Sequence, residues 1–250
     1  MLNIVIPMAG AGSRFASAGY SVPKPLIPVN GVPMIRVVIE NLKPKIKHRF
    51  IFICQRAHNS QYSLDENLRK WAPSCEIIYV DGLTEGAACT VMAAREFIDN
   101  DDPLMIANSD QYVDVDINAY LNAIVDSNMD GLIMTMKASD PKWSYVALAR
   151  SRVVNVVEKR VISDEATVGI YNFRQGSNFI EAVCEMIAKN IRVNNEFYVA
   201  PAYNQLIDKG GNVGIYNIGS EGNGMHGLGT PHDLDLFLLN PVHLKATAIK

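Results

Sequence analysis

Short apolar runs alternate with stretches of helical period through the first 110 residues. Residues 2–7, 50–54, 76–80 and 104–107 are β-rich apolar runs, the pattern of strands buried on both faces. Between them Met34, Val37, Val38 and Leu42 fall on one face of a helix, with Pro33 suited to its first turn. Ala87, Val91, Ala94 and Ile98 form a second stripe in a segment opened by Gly86. This alternation predicts a parallel sheet covered by helices and joined by right-handed crossovers, with ligands gathering at the carboxyl ends of the strands.

From Asp130 the pattern changes. Four closely spaced strand candidates, residues 132–137, 145–149, 153–158 and 167–173, predict a mixed or antiparallel extension. Helical segments around 179–189 and 198–209 follow, then a strand at 212–218 and a closing helix from Pro231. Glycines 219, 222, 224, 227 and 229 crowd the predicted loop before that helix. The expected fold class is α/β, a Rossmann-like three-layer sandwich with a mostly parallel mixed central sheet and a β-rich extension. With 250 residues and 48% hydrophobic content the chain can build one sizeable core, so residues 1–250 are expected to form a single domain.

Charge and cysteine usage narrow the function. A formal net charge of −3 leaves no electrostatic footprint for nucleic acid or an anionic membrane surface, so phosphate-binding charge must be local. No segment approaches the roughly 20 apolar residues needed to span a bilayer. The apolar opening over residues 2–11 lacks a preceding Lys or Arg and is interrupted by Pro7, unlike a signal peptide. Cys54, Cys75, Cys89 and Cys184 form no C-x-x-C pair, which argues against a zinc knuckle or redox dithiol. Buried thiols in a soluble, cytoplasmic protein are the expectation.

The strongest chemical signal is the loop after the first strand, Met8-Ala9-Gly10-Ala11-Gly12-Ser13-Arg14, followed ten residues later by Pro23-Lys24-Pro25-Leu26. Its glycines let backbone N–H groups close on phosphate oxygens, and a helix starting there adds its positive end. Arg14 can grip phosphate as a fork, while Lys24 supplies a compact charge between rigidifying prolines. A dinucleotide fingerprint fails because Phe15 stands where its third glycine belongs, and no Walker loop exists in the chain. The second signal is Asn108-Ser109-Asp110, directly after the apolar run 104–107, which sets Asp110 at the carboxyl edge of a central strand. Magnesium commonly binds through one or two carboxylates plus substrate phosphates, so such an aspartate suits a triphosphate site. Asp114 and Asp116 read instead as turn and helix-start residues.

Together these segments resemble the signature of the sugar-phosphate nucleotidyltransferases, which have a GT-A-like fold. Val29-Asn30-Gly31-Val32-Pro33-Met34-Ile35 is similar to the family's P-V-x-G-x-P-M-I, and Val157-Glu158-Lys159 to its E-K-P, with Arg160 in place of the proline. Val168-Gly169-Ile170-Tyr171 and Gly229-Thr230-Pro231 match as well. The resemblance implies a Mg2+-dependent transfer of a nucleoside monophosphate from an NTP to a phosphorylated small molecule. Residues 1–130 would form the nucleotide-binding half and residues 131–250 the acceptor-binding half. Ala9, Gly10, Ala11, Gly12, Glu85, Gly86 and Ser109 would contact the nucleotide, Arg14 and Lys24 its phosphates, and Asp110 the metal. Tyr145, Glu158, Lys159 and Gly169 would face the acceptor, with Lys159 on its phosphate.

One departure stands out. The family's second metal-binding aspartate lies in a W-x-D-x-G-T motif, where this chain reads Met225-His226-Gly227-Leu228-Gly229-Thr230 and the carboxylate position is Gly227. His226 is a poor ligand for hard magnesium, and acceptor recognition is the role considered for it. The ending from Met225 to Pro231 looks more like capsule-associated relatives than sugar enzymes, which favours CTP as the nucleotide. A sugar 1-phosphate acceptor is the alternative, as is a binding module that keeps the triphosphate loop without turnover. A nucleotide-sugar glycosyltransferase fits less well, because Asp110-Gln111-Tyr112 lacks a D-x-D pair. Related enzymes are commonly oligomeric, so a homo-oligomer is compatible with the resemblance.

Overall fold

The computed structural model describes residues 1–249. The first half supplies β1 (Leu2–Pro7), the two-residue strands β2 (Pro28–Val29) and β3 (Val32–Pro33), β4 (His48–Gln55), β5 (Glu76–Val80), β6 (Leu104–Ala107) and β7 (Gln111–Val113). The second half supplies β8 (Gly131–Lys137), β9 (Ser144–Ala149), β10 (Arg152–Glu158), β11 (Glu165–Phe173), β12 (Val213–Glu221) and β13 (Gly224–Gly227). All but β2 and β3, which pair with each other, join one sheet of order β5-β4-β1-β6-β11-β8-β12-β13-β7, with β9 on β11 and β10 on β9. β1 runs parallel to β4 and β6, and β4 to β5. β11 is reversed against both β6 and β8, while β12 is again parallel to β8. The central sheet is therefore mixed but mostly parallel, as the apolar runs and the change of pattern after Asp130 predict.

The period of two along the strands divides the core between the two faces of the sheet. Ile4, Ile6, Phe50, Phe52 and Met105 pack on one side, with the Met34–Leu42 and Ile117–Asp126 helices. Val5, Ile51, Ile53, Leu104 and Ile106 pack on the other, with the Gly176–Ala188 and Ala202–Asp208 helices. Helix, sheet and helix make three layers.

Five expectations are corrected. β5 is an edge strand, and none of its residues is fully buried, so its apolar run covers only one neighbour. The stripe from Ala87 to Ile98 is carried by two short helices, Ala87–Met92 and Arg95–Ile98, rather than one. Residues 198–201 are not helical: the adjoining Phe197 N–H donates to the Glu85 carbonyl at 2.7 Å and its carbonyl accepts from the Ala88 N–H at 3.0 Å, tying this segment to the 85–88 loop. The glycine-rich stretch before Pro231 holds a strand, because at Gly224 the chain folds back so tightly that a Cβ would lie 1.8 Å from the Ile218 carbonyl oxygen. β13 then pairs antiparallel with β7, setting His226 opposite Tyr112 and Gly227 opposite Gln111. Of the thiols, Cys54 and Cys75 are buried, but Cys184 is exposed and Cys89 half-buried.

Candidate functional site

The loop that leaves β1 turns at Gly12, whose left-handed backbone (φ +62°) caps the Ser13–Ser17 helix. Phe15, 1% exposed, pins that helix into a small apolar cluster with Ile27, Val29 and Met34. Gln55 Nε2 donates to the Ala9 carbonyl at 2.7 Å, which fixes the loop against the end of β4. Among the described residues, the N–H groups of Gly10, Ala11, Gly12 and Ser13 donate to no protein acceptor. Four free donors at one turn form a nest suited to an anion.

Lys24 enters from the single turn Lys24–Leu26, held by Pro23 and Pro25. Its Nζ lies 2.8 Å from Asp110 Oδ2, both side chains being a little over one fifth exposed. Asp110 is anchored in turn by its carbonyl, which accepts the Leu228 N–H at 2.8 Å. Arg14 is exposed and forms no ion pair among the described residues.

Two adjoining cavities open at this edge. One, of about 310 Å³, is bordered by Asp110, Gln111, Gly227, Gly229, Thr230 and Asp233. The other, of about 330 Å³, is bordered by Ser144, Glu158, Lys159, Thr167, Gly169 and Tyr198. Arg14, Asn108, Lys142 and Trp143 line both, so the two form one continuous cleft with two cations, Arg14 and Lys142, at the junction. Glu158 is 8% exposed, accepts a short hydrogen bond from the Ser144 hydroxyl, and is held above the ordinary carboxylate range by burial. Lys159 Nζ donates to the Tyr198 hydroxyl at 2.6 Å and lies 4.7 Å from its ring centroid, and that hydrogen bond raises its pKa.

A family model for nucleotidyl transferases matches residues 4–198, most of the chain and most of the cleft lining, the wall from Met225 to Asp233 lying beyond the match. The chain belongs to the nucleotidyl transferase family. It is 25% identical over 218 residues to the bifunctional protein GlmU of Methanococcus maripaludis, covering 84% of this chain and 48% of that protein. A GlmU of Thermotoga maritima is likewise 25% identical over 212 residues, covering 81% and 44%. The chain thus spans about half the length of the curated relatives it matches. Among solved structures, a nucleoside-diphosphate-sugar pyrophosphorylase from Vibrio cholerae superposes with a TM-score of 0.80 at 25% identity, covering 94% of this chain and 99% of that one. The inositol-1-phosphate CTP transferase of T. maritima superposes at 0.75 with 16% identity, covering 98% and 96%, a likeness of fold.

Within this nucleotidyl transferase, Arg14, Asp110, Glu158, Lys159 and Gly169 line the cleft, and Lys24 reaches it through Asp110. Other expected residues lie elsewhere. Tyr145 is fully buried: alternation along β9 turns Ser144 into the cleft and the Tyr145 ring into the core, where its hydroxyl donates to the Asp140 carbonyl at 2.8 Å. Ser109 is 4% exposed for the same reason, and its neighbours Asn108 and Asp110 line the cleft instead. Glu85 points outward to an ion pair with Arg192, while Gly86 is packed against the Phe197 backbone. His226 is 5% exposed, wedged against Tyr112 and Phe237, and borders a further cavity with Glu221, Leu236 and Asn240, which shares Gly227 and Asp233 with the Asp110 cavity but no residue with that of Glu158 and Lys159.

Sequence reasoning overlooked Asn108, Gln111, Lys142, Trp143, Tyr198 and Asp233 as wall residues. Asn108 could have been found by carrying the strand's alternation across the 107–110 junction. Lys142, Tyr198 and Asp233 arrive from remote segments, and no local pattern marks them.

Proposed function

We propose that this chain transfers a nucleoside monophosphate from an NTP to a phosphorylated small molecule and releases pyrophosphate. The observation that carries this reading is the junction itself: Arg14 borders both the cavity of Asp110 and the cavity of Glu158 and Lys159, where it can neutralise charge passing between donor and acceptor. The acceptor phosphate, with a second pKa of about 6, is already largely dianionic at neutral pH and needs no general base. One of its oxygens bonds to the α-phosphorus while the bond from that phosphorus to the bridging oxygen breaks, and pyrophosphate leaves with the electron pair. The free N–H groups of residues 10–13 and the cations Arg14 and Lys24 hold the phosphates in line and offset the growing charge. Mg2+, which this family generally uses, supplies further neutralisation when bound. The residues fit it, since Asp110 presents a carboxylate oxygen at the cleft and magnesium takes most of its remaining ligands from phosphate and water.

CTP is the favoured nucleotide and L-glutamine phosphate the favoured acceptor, giving CDP-L-glutamine for capsular polysaccharide modification. The similarity of the ending from Met225 to Pro231 to capsule-associated relatives supports this. So does the chemistry of the acceptor cavity. Arg14, Lys142 and Lys159 offer positive charge to a phosphate and a carboxylate, and Glu158, the acidic residue among those lining it, offers a partner to an α-ammonium. A sugar 1-phosphate acceptor is the second reading, favoured by the likeness to the nucleoside-diphosphate-sugar pyrophosphorylase of V. cholerae. A pyrophosphate-release matrix separates them: four NTPs against L-glutamine phosphate and a panel of sugar phosphates, with and without Mg2+. Release with CTP and glutamine phosphate alone is expected. Release with a sugar phosphate alone selects the second reading, and none with any pair rejects nucleotidyl transfer.

A further inference from the structure

Position 227, the usual site of a second carboxylate, is glycine, yet a carboxylate lies against it. A Cβ built on Gly227 would sit 3.6 Å from Asp233 Cγ and 3.8 Å from its Oδ2. A Cβ built on Gly229 would sit 2.8 Å from Asp110 Oδ2 and 4.0 Å from Asp233 Oδ2, so both oxygens border one small space that no side chain fills. Asp233 belongs to the first turn of the Pro231–Leu239 helix, where its N–H donates to Thr230 Oγ1 at 3.1 Å and fixes where the side chain starts. Among the described residues its carboxylate accepts no hydrogen bond and pairs with no cation, whereas Asp110 has Lys24. Asp233 is thus the carboxylate of this pair without a counter-ion in direct contact, although Arg14 and Lys142 line the same cavity.

A second observation in the same cavity is independent of the two acids. Gln111 is 3% exposed and lines the wall, and its Nε2 has no hydrogen-bond partner. A buried amide donor left bare costs free energy on the order of 1–3 kcal/mol unless an oxygen-bearing ligand meets it. An unpaired acid, in a cavity whose wall also holds an unpaired amide donor, suits a cation that arrives with phosphate or water oxygens.

We propose that Asp233 takes over the role of the carboxylate missing at position 227 and, with Asp110, ligates the divalent cation that accompanies the nucleotide. The inference rests on the nucleotidyl-transfer reading. It moves the second ligand from the strand β13 to the first turn of the following helix, and the glycines at 227 and 229 keep the space between the two carboxylates open.

The test is a Mn2+ titration followed by electron paramagnetic resonance, on the full chain with a CTP analogue whose α and β phosphorus atoms are bridged by methylene. Asp233→Asn keeps the shape and the N–H cap, and thermal melting checks that the helix survives. Its Mn2+ affinity is expected to fall by about tenfold or more. The double variant Gly227→Asp, Asp233→Asn returns a carboxylate to the strand; position 227 has room, since the nearest atom to the new Cβ is at ordinary contact distance. Recovery of most of the lost affinity is expected, which a purely helix-capping role for Asp233 would not produce. Unchanged affinity in Asp233→Asn, or a loss that Gly227→Asp does not restore, overturns the inference and leaves the nucleotidyl-transfer reading standing. A native chain whose Mn2+ affinity is not raised by the nucleotide overturns both.

Discussion

Lys24 and Asp110, 86 positions apart in the chain, meet at 2.8 Å and join the turn after the glycine loop to the end of β6. Each is the other's counter-ion in the free protein, and in the proposed reaction they would serve the phosphates and the cation of the bound nucleotide. Removing one such electrostatic contact typically costs on the order of 3 kcal/mol, or roughly a hundredfold in rate. Lys24→Ala is expected to lose about that much in kcat, measured by pyrophosphate release; near-normal turnover in a folded variant would contradict the role. Asp110→Asn is expected to slow turnover and shift the Mg2+ titration to higher concentration, and an unchanged titration would remove Asp110 from the metal site.

Glu158 should trade stability for function. Burial raises its pKa from the ordinary 4.5, so the folded protein resists its ionisation while the unfolded chain does not. The folded state is therefore at full advantage below that ordinary value and loses stability as pH rises between the ordinary and the raised value. Glu158→Gln removes the titration and can still accept the Ser144 hydroxyl. Its melting temperature is expected to exceed the native one by a few degrees at pH 7, with the gap closing toward pH 4.5, while KM for the acceptor rises. A constant gap across that range would show that burial of this charge is not the cause.

The difference between what the chain displayed and what it concealed follows from the range of the interactions. β1 and β6 match the apolar runs residue for residue, because burial within a sheet writes itself into contiguous positions. Arg14, Lys24 and Asp110 were legible because glycine, proline and acid sit at fixed places beside those runs. Tyr145 misled because resemblance identifies a position and not the face to which its side chain turns; one residue along β9 exchanges cleft for core. β13 was hidden by its glycines, which suggest a loop but here permit the fold-back that lets Met225 through Gly227 pair with β7. Asp233 looks in sequence like an ordinary first-turn acid, and only the pairing of β13 with β7 brings Gly227 and the start of that helix beside Asp110.

His226 offers a check on that hidden strand. Its imidazole is held below the ordinary 6.5 by burial, with Asp114 acting in the opposite direction, and its Nε2 has no partner. The folded state thus keeps the ring neutral, and stability present above 6.5 is lost as pH falls through that value and the unfolded chain takes up the proton. His226→Phe suits the Tyr112 and Phe237 rings and removes the titration. Its melting temperature relative to the native chain is expected to rise as pH is lowered from 7.5 to about 5.5, around the histidine midpoint. KM for the acceptor should not change, because the cavity bordered by the ring shares no lining residue with that of Glu158 and Lys159; a large increase in KM would return His226 to the acceptor site.

Gly169 tests how closely β11 and the Asn108–Gln111 segment must approach. Its φ is +81°, and a Cβ there would lie 2.1 Å from Asn108 Nδ2 and 2.9 Å from Gln111 Oε1, in a stretch where the pairing register of β11 with β8 shifts. The Gly169 carbonyl also accepts the Asn108 N–H at 3.1 Å, so the backbone cannot retreat without losing that bond. Gly169→Ala therefore strains the backbone, by about 1–3 kcal/mol, and pushes aside two amides that line the cleft. For a chain of this size each kcal/mol lowers the melting temperature by about 2–4 °C. Gly10→Ala is the control, since nothing lies within 4 Å of its Cβ and its φ is not positive. It is expected to leave the melting temperature unchanged and to weaken nucleotide binding, by crowding the free N–H groups of the loop. Gly169→Ala is expected to lower both melting temperature and kcat. Equal melting temperatures for the two variants would mean that the bulge in β11 relaxes freely and that Gly169 is not what sets Asn108 at the cleft.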